Sequence, residues 1–126
     1  MPNRFVEQSI LVAGGTGALG RVVALAFLRE GGRVTVTCRD LSEAEALRHE
    51  AGPGAERLRG RVVDVTDAGA TDALAAAVGR EAGRLDVLVN AVGGYAGGSK
   101  LWETDPAVLD RMLALNLRSG FLLARS

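Results

Sequence analysis

The sequence has few of the features that mark secreted, membrane-spanning and nucleic-acid-binding proteins. Its single cysteine, Cys38, excludes an internal disulfide framework and is typical of a reducing compartment. The 15 basic and 15 acidic residues balance, which argues against the basic face that nucleic-acid binding requires. No apolar run approaches the ~20 residues of a transmembrane helix, and the N-terminal segment is too polar for a signal peptide. We therefore expect a cytoplasmic protein with no nucleic-acid or membrane partner, and no metal site.

Apolar residues are plentiful instead, at 48% of the chain, which is enough to build the core of one domain over residues 1–126. Four short runs are nearly continuous in apolar residues and predict buried parallel strands over 10–13, 34–38, 61–65 and 85–90. Helical patterns fill the intervals, over 19–30, over 42–50 with Ser42 as N-cap, over 71–81, and from Asp105 toward Ser126. This alternation predicts an α/β fold, a doubly wound parallel sheet with right-handed crossovers.

The most informative segment is 9–20, where an apolar strand runs into a glycine cluster that opens a helix. From Gly15 onward the glycines follow the G-x-G-x-x-G spacing of Rossmann-type dinucleotide-binding folds. In such a loop the glycines allow a tight turn, a close approach of the backbone to a pyrophosphate, and close helix–strand packing. The N-terminus of the helix adds unpaired N–H groups and a partial positive charge. We expect a dinucleotide to contact Gly14, Gly15, Thr16, Gly17, Ala18, Leu19 and Gly20.

Motifs along almost the whole chain, in the right order, resemble those of the short-chain dehydrogenase/reductase family. The family's Thr-Gly-x-x-x-Gly-x-Gly loop matches 13–20, with alanine at positions 13 and 18, and its alternative spacing G-x-x-G-x-x-G is fully met. Its Asp-Val pair after the third strand matches Asp64 and Val65. Its Asn-Asn-Ala-Gly after the fourth strand matches Asn90, Ala91, Val92 and Gly93, kept at the first and last positions. Its helical asparagine matches Asn116.

The resemblance implies a nicotinamide cofactor, and the residues after the second strand bear on which one. An acidic side chain there accepts hydrogen bonds from the ribose 2′-OH of NAD, whereas an arginine accommodates the 2′-phosphate of NADP. In the family's register Cys38 occupies the place of the acid, and Arg39 occupies the place that selects NADP. Asp40, about 20 residues past the glycine motif, is the argument for NAD. We predict NADP as the preferred cofactor and keep NAD as the alternative.

The resemblance further implies that Asp64 and Val65 contact the adenine, that Asn90, Ala91 and Gly93 lie along the cofactor, and that Asn116 belongs to a proton relay. Each polar residue also has a structural interpretation. Asp64 could simply cap the following turn, and Asn90 could satisfy loop backbone groups. Asn116 falls on a stripe with Leu109, Met112, Leu113 and Gly120 that is predicted to face the core. There it would need hydrogen-bond partners, or it would mark a local distortion of the helix.

The family's catalytic serine and Tyr-x-x-x-Lys pair have no counterpart in the sequence. Tyr95 and Lys100 are five residues apart in a glycine-rich loop, whereas side chains four apart on a helix share a face. We therefore expect a Rossmann-type domain that is incomplete relative to the family, cut short after the fourth strand and its following helix. Its function is predicted to be NADP(H) binding within an oxidoreductase that acts on a small carbonyl or alcohol. The alternative is a non-catalytic nucleotide-binding or assembly module, and in either case exposed apolar surface favours a homo-oligomer.

Overall fold

A computed structural model describes residues 3–126 and shows the expected α/β architecture. The strands are β1 (Ser9–Ala13), β2 (Arg33–Cys38), β3 (Leu58–Val62) and β4 (Val87–Asn90). They form one parallel sheet in the order β3-β2-β1-β4. The helices are α1 (Ala18–Arg29), α2 (Leu41–Ala51), α3 (Ala68–Ala82), α4 (Pro106–Leu113) and α5 (Ser119–Arg125). A π-helical turn (Ala114–Arg118) joins α4 to α5, and short 3₁₀ turns cover Gly52–Arg57 and Leu101–Glu103.

Both faces of the sheet are covered, so every residue of the central strands β1 and β2 except Arg33 is buried. Successive side chains of β1 point to opposite faces. Ile10 and Val12 belong to a core cluster with Leu28 of α1 and Leu47 of α2. Leu11 and Ala13 pack on the other side with residues of α3 and α5, namely Leu74, Val78 and Leu123. The doubly wound parallel sheet predicted from the sequence is therefore confirmed.

The third strand was predicted at 61–65, and this is wrong by three residues, since β3 covers Leu58–Val62. Pairing with β2 sets its position, because Gly60 lies opposite Val36 and a side chain on Gly60 would overlap the Cβ of Ala44. Beyond it, Val63 N still donates to Cys38 O at 3.4 Å, but Val63 and Val65 are not part of the strand. Instead Val65 is buried against α3 in the loop that follows. The sequence prediction followed the apolar valines. Pairing with β2 and packing against α2 instead place Gly60 in the strand.

Caps also differ from expectation at two helices. Ser42 is not the N-cap of α2, because Asp40 takes that place and its carboxylate accepts a hydrogen bond of 2.8 Å from Ser42 N. Helix α3 begins at Ala68 rather than near Thr71, since Asp67 caps it through Ala70 N at 2.8 Å. Asp40 lies two residues and Asp67 four residues ahead of the predicted helix starts, and aspartate is a strong N-cap that extends the helix towards the N-terminus. Strand β4 begins at Val87, two residues later than predicted.

The last helical region begins as predicted, with Asp105 capping α4 through Ala107 N at 2.9 Å. The predicted inward stripe is wrong, since Leu109 is 59% exposed and Asn116 is also exposed. The residues that face inward are Ser119, Leu122 and Leu123 of α5. The π-helical turn explains the change, because its wider turn shifts the buried face relative to a regular 3.6-residue pattern. No helix in the described part of the chain is long and apolar enough to cross a membrane.

Candidate nucleotide-binding cleft

A cleft of about 640 Å³ lies at the carboxyl edge of the sheet, where all four parallel strands end. Its volume is in the range of pockets that hold small organic ligands. The loops after β1, β2, β3 and β4 form its walls. It is lined by Gly14, Thr16, Gly17, Thr37, Cys38, Arg39, Glu43, Val62, Val63, Asp64, Val65, Thr66, Ala91, Val92, Gly93, Gly94 and Leu115.

The glycine loop makes a sharp turn directly after β1. Gly14 has a φ of +73°, in the left-handed region that favours glycine. Its N–H donates a hydrogen bond of 2.8 Å to Oγ1 of Thr37, which ties the loop to the end of β2. Gly17 N then donates to Gly14 O at 3.1 Å, and α1 begins at the next residue. The turn is therefore held by hydrogen bonds within the chain.

The positions of the loop carry glycine for two different reasons. A Cβ on Gly15 would overlap the side chain of Val36, and a Cβ on Gly20 would overlap the carbonyl oxygen of Gly14. Glycine is required at both positions because the loop and α1 pack closely on the sheet. A Cβ on Gly17 would meet nothing closer than 3.4 Å, which is an ordinary contact. The protein itself does not require glycine at 17, so the open space beside it is available to a ligand.

Helix α1 points its N-terminus at this space. Gly17 is its N-cap, and no side chain caps the first turn. The first N–H groups of an α-helix have no partner within the helix, and with the helix dipole they form a site for an anion. The first turn of α1 also contains no acidic residue that would compete for these donors. The arrangement suits a pyrophosphate.

At the end of β2, Arg39 lines the cleft and Asp40 does not. The carboxylate of Asp40 accepts the Ser42 N–H as the cap of α2, and this hydrogen bond, the main cause, holds its pKa below the usual value. Arg39 is exposed and makes no ion pair with any residue within 3–126. The guanidinium is therefore available for an anion, whereas the aspartate is engaged.

Asp64 serves in the turn after β3 and also lines the cleft. Its Oδ1 accepts hydrogen bonds from Thr66 N at 2.9 Å and from Thr66 Oγ1 at 2.6 Å. These bonds hold the pKa of Asp64 below its usual value, the hydroxyl contributing most. Arg118 Nε donates to Thr66 O at 3.1 Å, which connects this turn to the π-helical turn. The capping role proposed for Asp64 and its place in the cleft are thus compatible.

The loop after β4 is held by Asn116 of the π-helical turn. Asn116 Nδ2 donates to Gly94 O at 3.0 Å and to Met112 O at 2.9 Å, and Gly94 N donates to its Oδ1 at 3.1 Å. A Cβ on Gly93 would come within 2.9 Å of that same oxygen, so the loop passes close to the amide. Asn90 accepts from Val92 N at 3.1 Å within the loop. Asn116 therefore sets the position of the loop relative to the cleft.

The structure brings together most of the residues that the sequence singled out. Eight of them line the cleft: Gly14, Thr16, Gly17, Arg39, Asp64, Val65, Ala91 and Gly93. The other seven do not line it: Gly15, Ala18, Leu19, Gly20, Asp40, Asn90 and Asn116. Thr37, Glu43 and Leu115 are among the lining residues that sequence reasoning missed. Leu115 adjoins a motif residue, but nothing in the local pattern marks Glu43, which reaches the cleft through the packing of α2.

Tyr95 and Lys100 do not form a pair. Tyr95 is 91% exposed, and the Lys100 ammonium lies 5.4 Å from the centre of the Trp102 ring. A proton donor in catalysis needs a fixed position near the substrate, which this exposed side chain lacks.

Comparisons with known proteins agree with this arrangement. A family model described as short chain dehydrogenase matches residues 8–126. D-threitol dehydrogenase of Mycolicibacterium smegmatis is 34% identical over 92% of this chain, and the match spans 44% of that enzyme.

Two solved structures are also similar. A citronellol catabolism dehydrogenase from Pseudomonas aeruginosa superposes with a TM-score of 0.90 at 28% identity, over 99% of this chain and 51% of that one. A metagenomic short-chain oxidoreductase in complex with NADP superposes at 0.89 and 30% identity, over 96% of this chain and 55% of that one. The chain thus spans about half the length of the proteins that it resembles.

Proposed function

The chain belongs to the short-chain dehydrogenase/reductase family, and we propose that its cleft binds NADP(H) in preference to NAD(H). One observation carries the preference: Arg39 lines the cleft with no acidic partner in the described chain, while Asp40 is engaged as a helix cap. A guanidinium binds phosphate through two parallel hydrogen bonds, which suits the 2′-phosphate of NADP. The solved metagenomic relative with NADP bound supports the same preference.

The residues present fit such a cofactor. In this proposal the pyrophosphate lies at the N-terminus of α1, with Gly17 leaving the space that it needs. Arg39 binds the 2′-phosphate, and Asp64 and Val65 frame the adenine. Ala91 and Gly93 extend the wall towards the nicotinamide. NADP(H), when bound, supplies or accepts the hydride, and the chain's part is to hold and orient it.

We assign the whole protein to hydride transfer between NADP(H) and a carbonyl or alcohol substrate. The family's catalytic serine and Tyr-x-x-x-Lys pair are not among these 126 residues, so the proposal concerns the whole protein. Asn116 would contribute to the proton relay from its place beside Gly93 and Gly94. The names of two relatives mention D-threitol and citronellol, which are chemically unlike, so we infer no individual substrate.

We also propose that residues 1–126 act as one nucleotide-binding domain in a cytoplasmic homo-oligomer. The support for assembly is an apolar stripe along the last helical region, where Leu109, Leu113, Leu117 and Phe121 are all exposed. These residues are spaced by four and lie on one side of the helix. Exposed apolar surface of this kind marks interaction sites in soluble proteins.

Fluorescence titration with NADPH and NADH tests the cofactor proposal, with carbonyl-dependent NADPH oxidation as the second readout. Arg39→Gln removes one charge-assisted contact and should weaken NADPH binding about tenfold or more while leaving NADH nearly unchanged. Arg80→Gln, an exposed arginine on α3 away from the cleft, is the matched control. Equal effects of Arg39→Gln on both nucleotides would refute NADP selection by this residue. Binding by the full protein without turnover of any carbonyl would favour the non-catalytic module instead.

A further inference from the structure

Three charged side chains line the cleft, and their net charge is negative. Arg39 is the single cation, against the carboxylates of Glu43 and Asp64, among the described lining residues. Asp64 is engaged by Thr66 in its own turn. Glu43 has no cationic partner in any ion pair of residues 3–126. A cleft proposed to bind a nucleotide with several phosphates therefore carries an uncompensated carboxylate.

Glu43 reaches the glycine loop from a different part of the chain. It lies in the first turn of α2, and its Oε1 accepts a hydrogen bond of 3.3 Å from the hydroxyl of Thr16. Thr16 is flanked by Gly15, which packs on β2, and by Gly17, which caps α1. The carboxylate is therefore held beside the glycine loop, in the same cleft that Arg39 lines from the end of β2, and is only partly exposed.

The charge of Glu43 also affects the end of β2. The pKa of the Cys38 thiol is raised, first by burial and then by the carboxylates of Glu43 and Asp40. Cys38 immediately precedes Arg39, and Glu43 follows four residues later in the first turn of α2, so both charged side chains line the cleft from the same β2–α2 connection. Like charges brought together in a partly desolvated site are costly, and they discriminate between ligands that differ in charge.

We propose that Glu43 is a specificity-determining residue that opposes the 2′-phosphate of NADP(H) and so limits the preference conferred by Arg39. The inference rests on the proposed cofactor function. NAD(H) lacks the 2′-phosphate and is much less affected by the carboxylate. The cleft thus combines an attractive and a repulsive element for the same group, which is how affinity differences between similar ligands are set.

The experiment compares dissociation constants of the full protein for NADPH and NADH, with 2′,5′-ADP and 5′-AMP as probes of the adenosine end alone. Glu43→Gln removes the charge while keeping the shape and should improve NADPH binding relative to NADH about tenfold. The same ratio should appear with 2′,5′-ADP against 5′-AMP. Glu43→Asp keeps the charge and should retain the original ratio within about threefold.

Glu45→Gln is the matched control, since it removes the same charge from the same helix. Glu45 does not line the cleft and pairs with Arg48 one turn along α2. If Glu43→Gln and Glu45→Gln change the ratio equally, or not at all, the assignment of Glu43 is wrong while the cofactor site stands. If the unaltered protein binds none of the four nucleotides, the proposed function itself fails.

Discussion

Replacing Gly17 by valine separates the proposed role of the glycine loop in ligand binding from its role in folding. The backbone of Gly17 has a φ of −75° and a ψ of 177°, which a β-branched residue adopts without strain. A Cβ there meets only the oxygen of Gly14, at 3.4 Å. The branched side chain would occupy the space in which the pyrophosphate is proposed to approach the helix N-terminus.

The expected magnitudes differ between the two roles. Loss of two charge-assisted hydrogen bonds, at about 1.5 kcal/mol each, weakens NADPH binding by about 3 kcal/mol, or on the order of 100-fold. Valine is a poorer N-cap than glycine, so the free energy of unfolding should fall by about 1 kcal/mol. This corresponds to a drop in Tm of about 4 °C for a chain of this size.

Isothermal titration with NADPH and thermal unfolding, on the same preparation, measure both quantities. Gly20→Ala is the contrasting variant, because its Cβ would overlap the carbonyl of Gly14 and should destabilise the fold by several kcal/mol. A folded Gly17→Val protein that binds NADPH with unchanged affinity would show that the cleft is not the nucleotide site. A Gly17→Val protein as unstable as Gly20→Ala would refute the distinction between the two glycines.

Two further predictions concern stability and the loop after β4. The pKa of Asp86 is held below its usual value, chiefly by the N–H of Ser9 at 2.8 Å, so this carboxylate stabilises the fold above about pH 4 and the contribution is lost as pH falls. Asp86→Asn should flatten the acid side of a Tm profile measured from pH 3 to pH 7, and an unchanged profile would contradict this. Asn116→Ala removes three hydrogen bonds and should lower the free energy of unfolding by about 1–2 kcal/mol in urea titrations. It should also accelerate amide exchange at Gly94, and unaltered exchange there would show that Asn116 does not hold the loop.

Much of the candidate site could be predicted because its elements are local in the sequence. The strand, the glycine turn and the start of α1 are consecutive residues, and their spacing follows from the covalent geometry of a tight turn. The same holds for Asp64, whose partner Thr66 is two residues away. The π-helical turn at Ala114–Arg118 confirms the expectation of a distortion at Asn116. Gly94, the hydrogen-bond partner of Asn116, lies 22 residues away and could not be identified from the local pattern.

The local sequence could not decide whether Arg39 or Asp40 faces the cleft. Both residues stand at the end of β2, and either could face a ligand. The start of α2 decides between them, because Asp40 is used as the N-cap and Arg39 is left at the cleft. That decision needs the geometry of the strand-to-helix turn, which depends on how α2 packs against β2 and β3.

The order of strands and helices, the α/β class and the glycine loop were determined by the sequence alone, because each depends on neighbours along the chain. The tertiary structure decided three features: the limits of β3, the inward face of the last helices and the position of Glu43 beside Thr16. Strand pairing placed Gly60 against Ala44, the π-helical turn shifted the buried face, and helix packing brought residues 16 and 43 within hydrogen-bonding distance. These are contacts between distant segments, and no local periodicity encodes them.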